Sequence, residues 1–419
     1  MNRTFYILVA LVLSVNAWDL KVLDSILNDA TAPAFGLVWM LTGWIYFGNM
    51  KNREGGMNLV RYNRYFYWLA LGFALSFITA YLFWYQDLTT SLIVNRRLFF
   101  FLFIPVFLRI QPSESEIIKA LSFYTVFYML VWIWQAITPY PVTTSMEIAI
   151  DAGRGTFGLT ENDFGYLMPG YSLLLIPLYY RIQKFTEDIS IRTFIPVIIM
   201  TGFLFLLQNR GTLFFAVIVF GFSILRIRSR YRYFFIIVLG LLVTGAYFTT
   251  EKYWTSFISE TSEQLADPDY NRWKSLYYFL FNYSPHWLCN VLGNGYLSSR
   301  NESGQFLIAL MNYGFFQADL GIIGFWSMYG IIPLIVIYTI IIRLLVYASA
   351  PFYIKALAAH VLLIPICWGF SYYDMLLFVI MSYMTGYYSE IVKAESLKVA
   401  ITANPTLSSL ICQKSSDHT

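Results

Sequence analysis

The sequence predicts an all-α fold, a polytopic transmembrane helical bundle, and three observations predict it. First, 58% of the residues are hydrophobic, 20% aromatic and only 12% charged, with a mean hydropathy of +0.58. So small a polar fraction does not cover a soluble globule of 419 residues. Second, the apolar runs are long enough to cross a hydrocarbon core of about 30 Å as helices, which takes roughly 20 residues each. Third, those runs lack the strict alternation of a barrel strand.

Taken in order, the runs predict about twelve spans, near 4–18, 31–49, 66–84, 91–109, 120–138, 164–182, 193–209, 211–225, 233–249, 318–343, 354–370 and 373–391. The fourth and seventh are read as possible re-entrant or tilted segments. The first, in MNRTFYILVALVLSVNAW, has small residues from Val15 to Ala17 and shares features with a signal peptide. An uncleaved first span is preferred, since polytopic proteins rarely need a separate signal. Basic residues favour the cytoplasmic side. With a cytoplasmic start, 19 of the 28 Lys and Arg fall inside and 9 outside, the inner set including KNREGGMNLVRYNR and RIRSRYR. Both termini are then cytoplasmic.

This topology divides the chain into spans one to nine (1–249), a large outer loop (250–317), spans ten to twelve (318–391) and a cytoplasmic tail (392–419). A smaller outer loop covers 139–163. Loop 250–317 is rich in Tyr, Trp and Phe, which suggests short helices at the membrane interface. Loops beyond about 15 residues are usually functional, and the inner loops are short, so chemistry is expected outside. The Ser-rich tail from Ala394 to Thr419 reads as disordered. No internal repeat is visible.

Cys289, Cys367 and Cys412 sit in three unrelated contexts, which argues against a disulfide framework or a zinc site. The three histidines, His286, His360 and His418, lack metal-binding spacing, so no metal and no cofactor is expected. The pI near 8.7 reflects the basic inner loops, and no nucleic-acid partner is expected.

The charge that stands out is Arg210, in FLFLLQNRGTLFFAVIVF, at the outer end of span seven. An arginine deep in a bilayer costs about 2.5 to 3.5 kcal/mol, so it snorkels, pairs, or faces a wet cavity. An interfacial anchor is one reading. The other is a cationic site, because Arg96, Arg97, Arg154, Arg272 and Arg300 fall on the same side against the usual bias. Guanidinium groups bind phosphate through two oxygens and stay charged. For Arg96, Arg97 and Arg300, scattered headgroup contacts are the simpler reading. In GRGTFGLTENDFG, Thr160 and Asp163 make a plain helix cap, or a helix start whose free amides receive an anion. Asp319 lies at the outer start of span ten, where it complements the helix dipole, pairs with an arginine, or acts as a general base.

The order of these features resembles the bacterial O-antigen polymerase and ligase superfamily. The matching pieces are Gly158 to Asp163, including Asn162, then Arg210-Gly211, Arg272-Trp273, the turn Gly293-Asn294-Gly295-Tyr296, and Asp319 to Ile332. The resemblance spans residues 150 to 340, and the earlier spans match only as hydrophobic segments. It implies a metal-independent glycosyltransferase of the bacterial inner membrane, multi-pass, with its active site facing the periplasm. The substrate it implies is an oligosaccharide on undecaprenyl pyrophosphate, and the partners are membrane lipids and a chain-length regulator protein. Ligases typically carry a histidine just before the helix after the outer loop, where this chain reads LIALMNYGFFQADLG, and His286 lies too far upstream. Asp319 matches the polymerase branch, so polymerase is favoured over ligation to a lipid A core.

On this reading Arg210, Arg272 and Asp319 are the catalytic residues. The two arginines stabilise the departing pyrophosphate, and Asp319, ahead of Asp163 or His286, deprotonates the acceptor hydroxyl. Arg154, Asn162, Asp163, Gly293, Gly295 and Tyr296 bind substrate. Aromatics of the outer loop stack on sugars or anchor at the interface. The rival from another class is a secondary transporter or lipid-linked sugar flippase, which would place ionisable groups near the midplane on repeated, broken helices.

Overall fold

The computed structural model describes residues 2–28, 30–48, 62–138, 142–143, 168, 170–207, 210–226, 233, 237, 240, 271–347, 349–363 and 375–403. Among these the architecture is all-helical, and the one β feature is an isolated bridge from Leu20 to Thr143. The first part of the chain contributes α1 (Arg3–Ser14), α2 (Ala32–Gly48), α3 (Asn63–Trp84), α4 (Leu88–Val94), α5 (Phe103–Ile110) and α6 (Glu114–Ile137). The middle contributes α7 (Leu175–Glu187), α8 (Ile191–Leu206) and α9 (Arg210–Leu225). After these come four short helices, α10 (Asn271–Tyr277), α11 (Trp287–Leu292), α12 (Glu302–Asn312) and α13 (Ile322–Tyr329). Then follow α14 (Ile331–Val346), α15 (Phe352–Leu363) and α16 (Met375–Ala403).

Two described helices, α3 and α6, are long and apolar enough to cross a membrane, and α4 to α5 makes a third if that bent pair is one span. Six further apolar helices are shorter. The exposed faces of α3 and α6 carry Tyr67, Trp68, Leu71, Phe123, Phe127 and Leu130, apolar surface that a lipid phase would cover.

Several expected spans are interrupted. The run near 91–109 bends by 72° between α4 and the 3-10 segment Arg96–Leu102. Asn95 sits at the bend, 2% exposed, donating to the Ser91 carbonyl at 2.8 Å and accepting from the Tyr329 hydroxyl at 2.9 Å. The run near 318–343 breaks at Gly330 into α13 and α14, because Gly330 adopts φ +79°. The run near 4–18 stops at Ser14, and Asn16 to Asp19 form a left-handed turn with φ between 48° and 62°. Such a turn costs L-residues about 1–2 kcal/mol each; burial of Trp18 against the Tyr124 ring at 5.5 Å helps to offset it. The start of the expected tail is helical, since α16 continues to Ala403, and residues 404–419 lie outside the described residues. Its sequence ESLKVAITA contains Glu, Leu, Lys and Ala, all good helix formers.

Every residue from Met375 to Gly386 is buried, so this first part of α16 is enclosed on all sides, as an all-round apolar helix should be. It packs on α14, α5 and the Arg96–Leu102 segment. Around it α1 packs on α2 and α6, α3 on α14, and α7 on α8 and α15. At the Asn63 end of α3, Glu114 opens α6 inside a capping box made by Ser113 and Glu116. Its carboxylate accepts from the hydroxyls of Tyr353 at 2.8 Å and Tyr388 at 3.0 Å, tying α6, α15 and α16 together.

Candidate functional site

At the opposite end of α3, marked by Trp84, a buried polar knot joins the bundle to the four short helices. Its centre is Asn294, fully buried between two glycines. The Asn294 side-chain amide donates to the Ser327 carbonyl at 2.9 Å and to the Ser284 hydroxyl at 3.0 Å, and its oxygen accepts from the Trp84 indole at 2.9 Å. Gln86, also fully buried, donates to the Tyr296 carbonyl at 3.1 Å and accepts from the Ser298 N–H at 2.7 Å. The backbone N–H groups of Asn294 and Gly295 donate to the carbonyls of Ser327 and Met328 at 2.9 and 2.8 Å. Buried amides are retained only with such partners, and here each one crosses from one chain segment to another.

Two pairs of close approaches explain the glycines. Gly293 (φ +91°) ends α11 back to back with Gly330, and a Cβ on Gly293 would lie 2.5 Å from the Tyr329 carbonyl carbon. The Gly293 carbonyl also accepts from the Thr79 hydroxyl of α3. Gly324 lets the backbone at Gln317 press against α13, where a Cβ would overlap the Gln317 carbonyl. The Gln317 side chain completes this contact by donating to the Ser327 hydroxyl at 2.6 Å.

The Gln317 contact seats the turn that carries Asp319. Asp319 belongs to the 3-10 turn Gln317–Leu320, which folds onto α13 and packs against α10, the helix whose second residue is Arg272. Arg210 is the first residue of α9, which packs on α7, α8 and α15. The elements of Arg272 and Asp319 are therefore neighbours, while the Arg210 helix packs chiefly within another part of the bundle. Gly293 and Gly295 are buried with their N–H groups engaged, Gly293 to the Cys289 carbonyl at 2.9 Å, and Tyr296 is half-buried against the main core. Their described role is to hold the short helices on the bundle. Arg154, Asn162 and Asp163, with the Thr160 cap, lie outside the described residues.

His286 caps α11, its Nδ1 accepting from the Leu288 N–H at 3.2 Å and its ring stacked on Phe83 at 4.6 Å. Accepting at Nδ1 leaves the proton of the neutral ring on Nε2. Arg97 is 7% exposed, whereas Arg96 donates to the Ile93 carbonyl at 2.9 Å and Arg300 lies at the surface.

The aromatics divide into two sets. Phe279 and Tyr283 build a second small core with Leu297, Leu307 and Leu320, and Tyr283 packs on Trp84 with ring centroids 5.2 Å apart. Burial pushes the Tyr283 phenol well above its ordinary range and the Cys289 thiol up to about 11. The other set, Trp273, Tyr277, Phe281, Trp287 and Tyr313, is exposed, as flat faces that receive a sugar or rest on a lipid surface would be.

Sequence reasoning missed Gln86, Asn95 and Ser327. The available signal was chemical: Gln and Asn in the apolar context YQDLTTSLIVNRRLFF are costly to bury without partners. No protein-family model matches this chain, and no curated protein matches its sequence.

Proposed function

We propose that this protein is a membrane glycosyltransferase that polymerises undecaprenyl-pyrophosphate-linked oligosaccharide units into O-antigen or a related surface polysaccharide. On this reading the bundle has about twelve spans, sits in a bacterial inner membrane, and presents residues 250–317 to the periplasm. The observation that supports it best is the packing of the Arg272 helix against the Asp319 turn, beside exposed aromatics on the same group of short helices.

The chemistry asks for a cation and a base close together. Breaking the bond between sugar and pyrophosphate develops negative charge on the leaving oxygen, and a guanidinium fixed nearby stabilises it without reorganising. Arg272 and Arg210 take this role, and Arg154 holds the lipid-linked chain. Asp319 accepts the proton of the attacking sugar hydroxyl, provided the hydroxyl comes within hydrogen-bond reach. The polar knot at Asn294 acts as the scaffold that fixes the turn and helix relative to each other.

The test is a gel of surface polysaccharide from cells carrying single variants at equal protein level. Arg210→Ala and Arg272→Ala are each expected to cut polymer about 100-fold, the scale for loss of one electrostatic stabiliser, with single repeat units accumulating. Polymer of unchanged length and amount in both variants overturns the assignment. Purified protein supplied only with lipid-linked repeats separates this reading from a flippase: chain growth marks the enzyme, and translocation without growth marks the transporter.

A further inference from the structure

The most distinctive unassigned feature is a groove of about 420 Å³ between α3 and α14, at the end of α3 away from the polar knot. Its walls include Arg64, Tyr65 and Trp68 from α3 and Ile332, Ile335 and Arg343 from α14. The chemistry changes along its length. Ile332 and Ile335 make an apolar stretch at one end, and two guanidinium groups frame the other.

The arginines are gathered by one ring. Arg343 donates to the Tyr65 hydroxyl at 2.8 Å, with its guanidinium carbon 5.9 Å from the ring centroid, and the Arg64 guanidinium carbon lies 5.3 Å from that centroid. Among the described residues neither has a carboxylate partner, whereas Arg3 and Lys184 do. Two like charges gathered at one phenol repel each other, an anion between them relieves that repulsion, and each guanidinium, with five N–H donors, keeps donors to spare. From Ile332 to Arg343 the groove follows α14 for about 16 Å at roughly 1.5 Å per residue. That is about half of a 30 Å hydrocarbon core, the depth of one lipid leaflet.

We infer that this groove is a binding site for an anionic phospholipid, with the phosphate between Arg64 and Arg343 and an acyl chain along Ile335 and Ile332. Guanidinium pairs suit a phosphate diester through paired N–H donors, and Trp68 sits where an amphipathic ring meets the headgroup level. The inference rests on the bundle lying in a membrane and not on the polymerase reading, so either stands if the other fails.

The test is native mass spectrometry of the full chain in detergent, with phosphatidylglycerol or phosphatidylcholine of identical acyl chains added. The wild type is expected to retain phosphatidylglycerol preferentially, and Arg64→Gln/Arg343→Gln is expected to reduce that retention about thirtyfold. Ile335→Trp, at an exposed position, fills the apolar end and is expected to lower phosphatidylglycerol retention while leaving both charges in place. If the double variant does not elute as a folded species, Arg64→Gln alone, at an exposed residue, is expected to show part of the loss. Equal retention of the two lipids by the wild type overturns the inference, as does a preference that survives in the folded variants. Displacement of the lipid by excess inorganic phosphate, with Ile335→Trp neutral, assigns the site to a free anion and overturns the lipid.

Discussion

Replacing Gly293 by alanine tests the back-to-back glycine contact that seats the short helices on the bundle. The added methyl carbon would lie 2.5 Å from the Tyr329 carbonyl carbon and 2.6 Å from the Gly330 nitrogen and the Met328 oxygen. All three are backbone atoms, so relief requires α11 to move away from the α13–α14 junction. Overpacking of this kind costs about 1–3 kcal/mol, and φ of +91° adds about 1–3 kcal/mol for an L-residue. Taking about 3 kcal/mol in total, and roughly 2 °C per kcal/mol for a large domain, the unfolding midpoint in detergent should fall by about 6 °C. The reference is Gly221→Ala, in α9, where a Cβ meets nothing within 4 Å; there the loss of backbone freedom in the unfolded chain should stabilise by about 0.4–1 kcal/mol. Scanning fluorimetry of the two variants beside the wild type makes the comparison. If both midpoints move alike, the contact between Gly293 and Gly330 does not hold the short helices.

At the other end of the bundle, Glu114→Ala removes the acceptor of two buried phenols, Tyr353 and Tyr388, exposed by 1% and 2%. Each orphaned hydroxyl costs about 1–3 kcal/mol, so denaturant titration should show a loss of about 2–6 kcal/mol, smaller for Glu114→Gln. Asp87 caps α4, and the Thr90 hydroxyl, followed by the Thr90 N–H, holds its carboxyl below the ordinary value of 3.8. A depressed folded value means that its contribution is full above the unfolded pKa and is lost as pH falls through the folded one. The stability difference between wild type and Asp87→Asn, followed by thermal melts, should therefore shrink on acidification from about pH 5 to about pH 2 and stay flat above. With Cys367 and Cys412 replaced by serine, Cys289 should resist iodoacetamide at pH 8, because a thiol pushed up to about 11 by burial is about one-thousandth thiolate there. Rapid labelling without denaturant, read by mass spectrometry, would show that the segment opens.

The helical class was legible because it depends on composition and long apolar runs, both of which survive averaging over a window. That is why 66–84 and 120–138 are close to α3 and α6. The same averaging hid the breaks. Asn95 and Gly330 interrupt runs that remain apolar on either side, and their reasons lie far along the chain: Tyr329 for Asn95, and Leu292 for Gly330. Residue patterns in 250–317 singled out GNGY as a substrate-binding turn. They did not reveal that Asn294 bonds Trp84, Ser284 and Ser327, since a capping or substrate-binding glycine turn has the same spelling. Asp319 and Arg272 were chosen separately, one from a helix start and one from a loop; the packing of α10 on the Asp319 turn is a tertiary fact with no local signature.

The enclosure of α16 has a consequence for how the protein is made. The elements on which this buried part of α16 packs most, α1, α5, the Arg96–Leu102 segment and α14, precede it in the chain. The ribosome therefore delivers this segment after the elements around it, and until it arrives the slot it fills stays open. During that interval Phe107, whose ring centroid lies 6.4 Å from that of Tyr383, lacks this partner. Maturation is then a late, single event, in which arrival of one segment converts a loose ring into a solid body. Chains that stall before Met375 should be recognised by cellular quality control as incomplete, however well their other helices have formed.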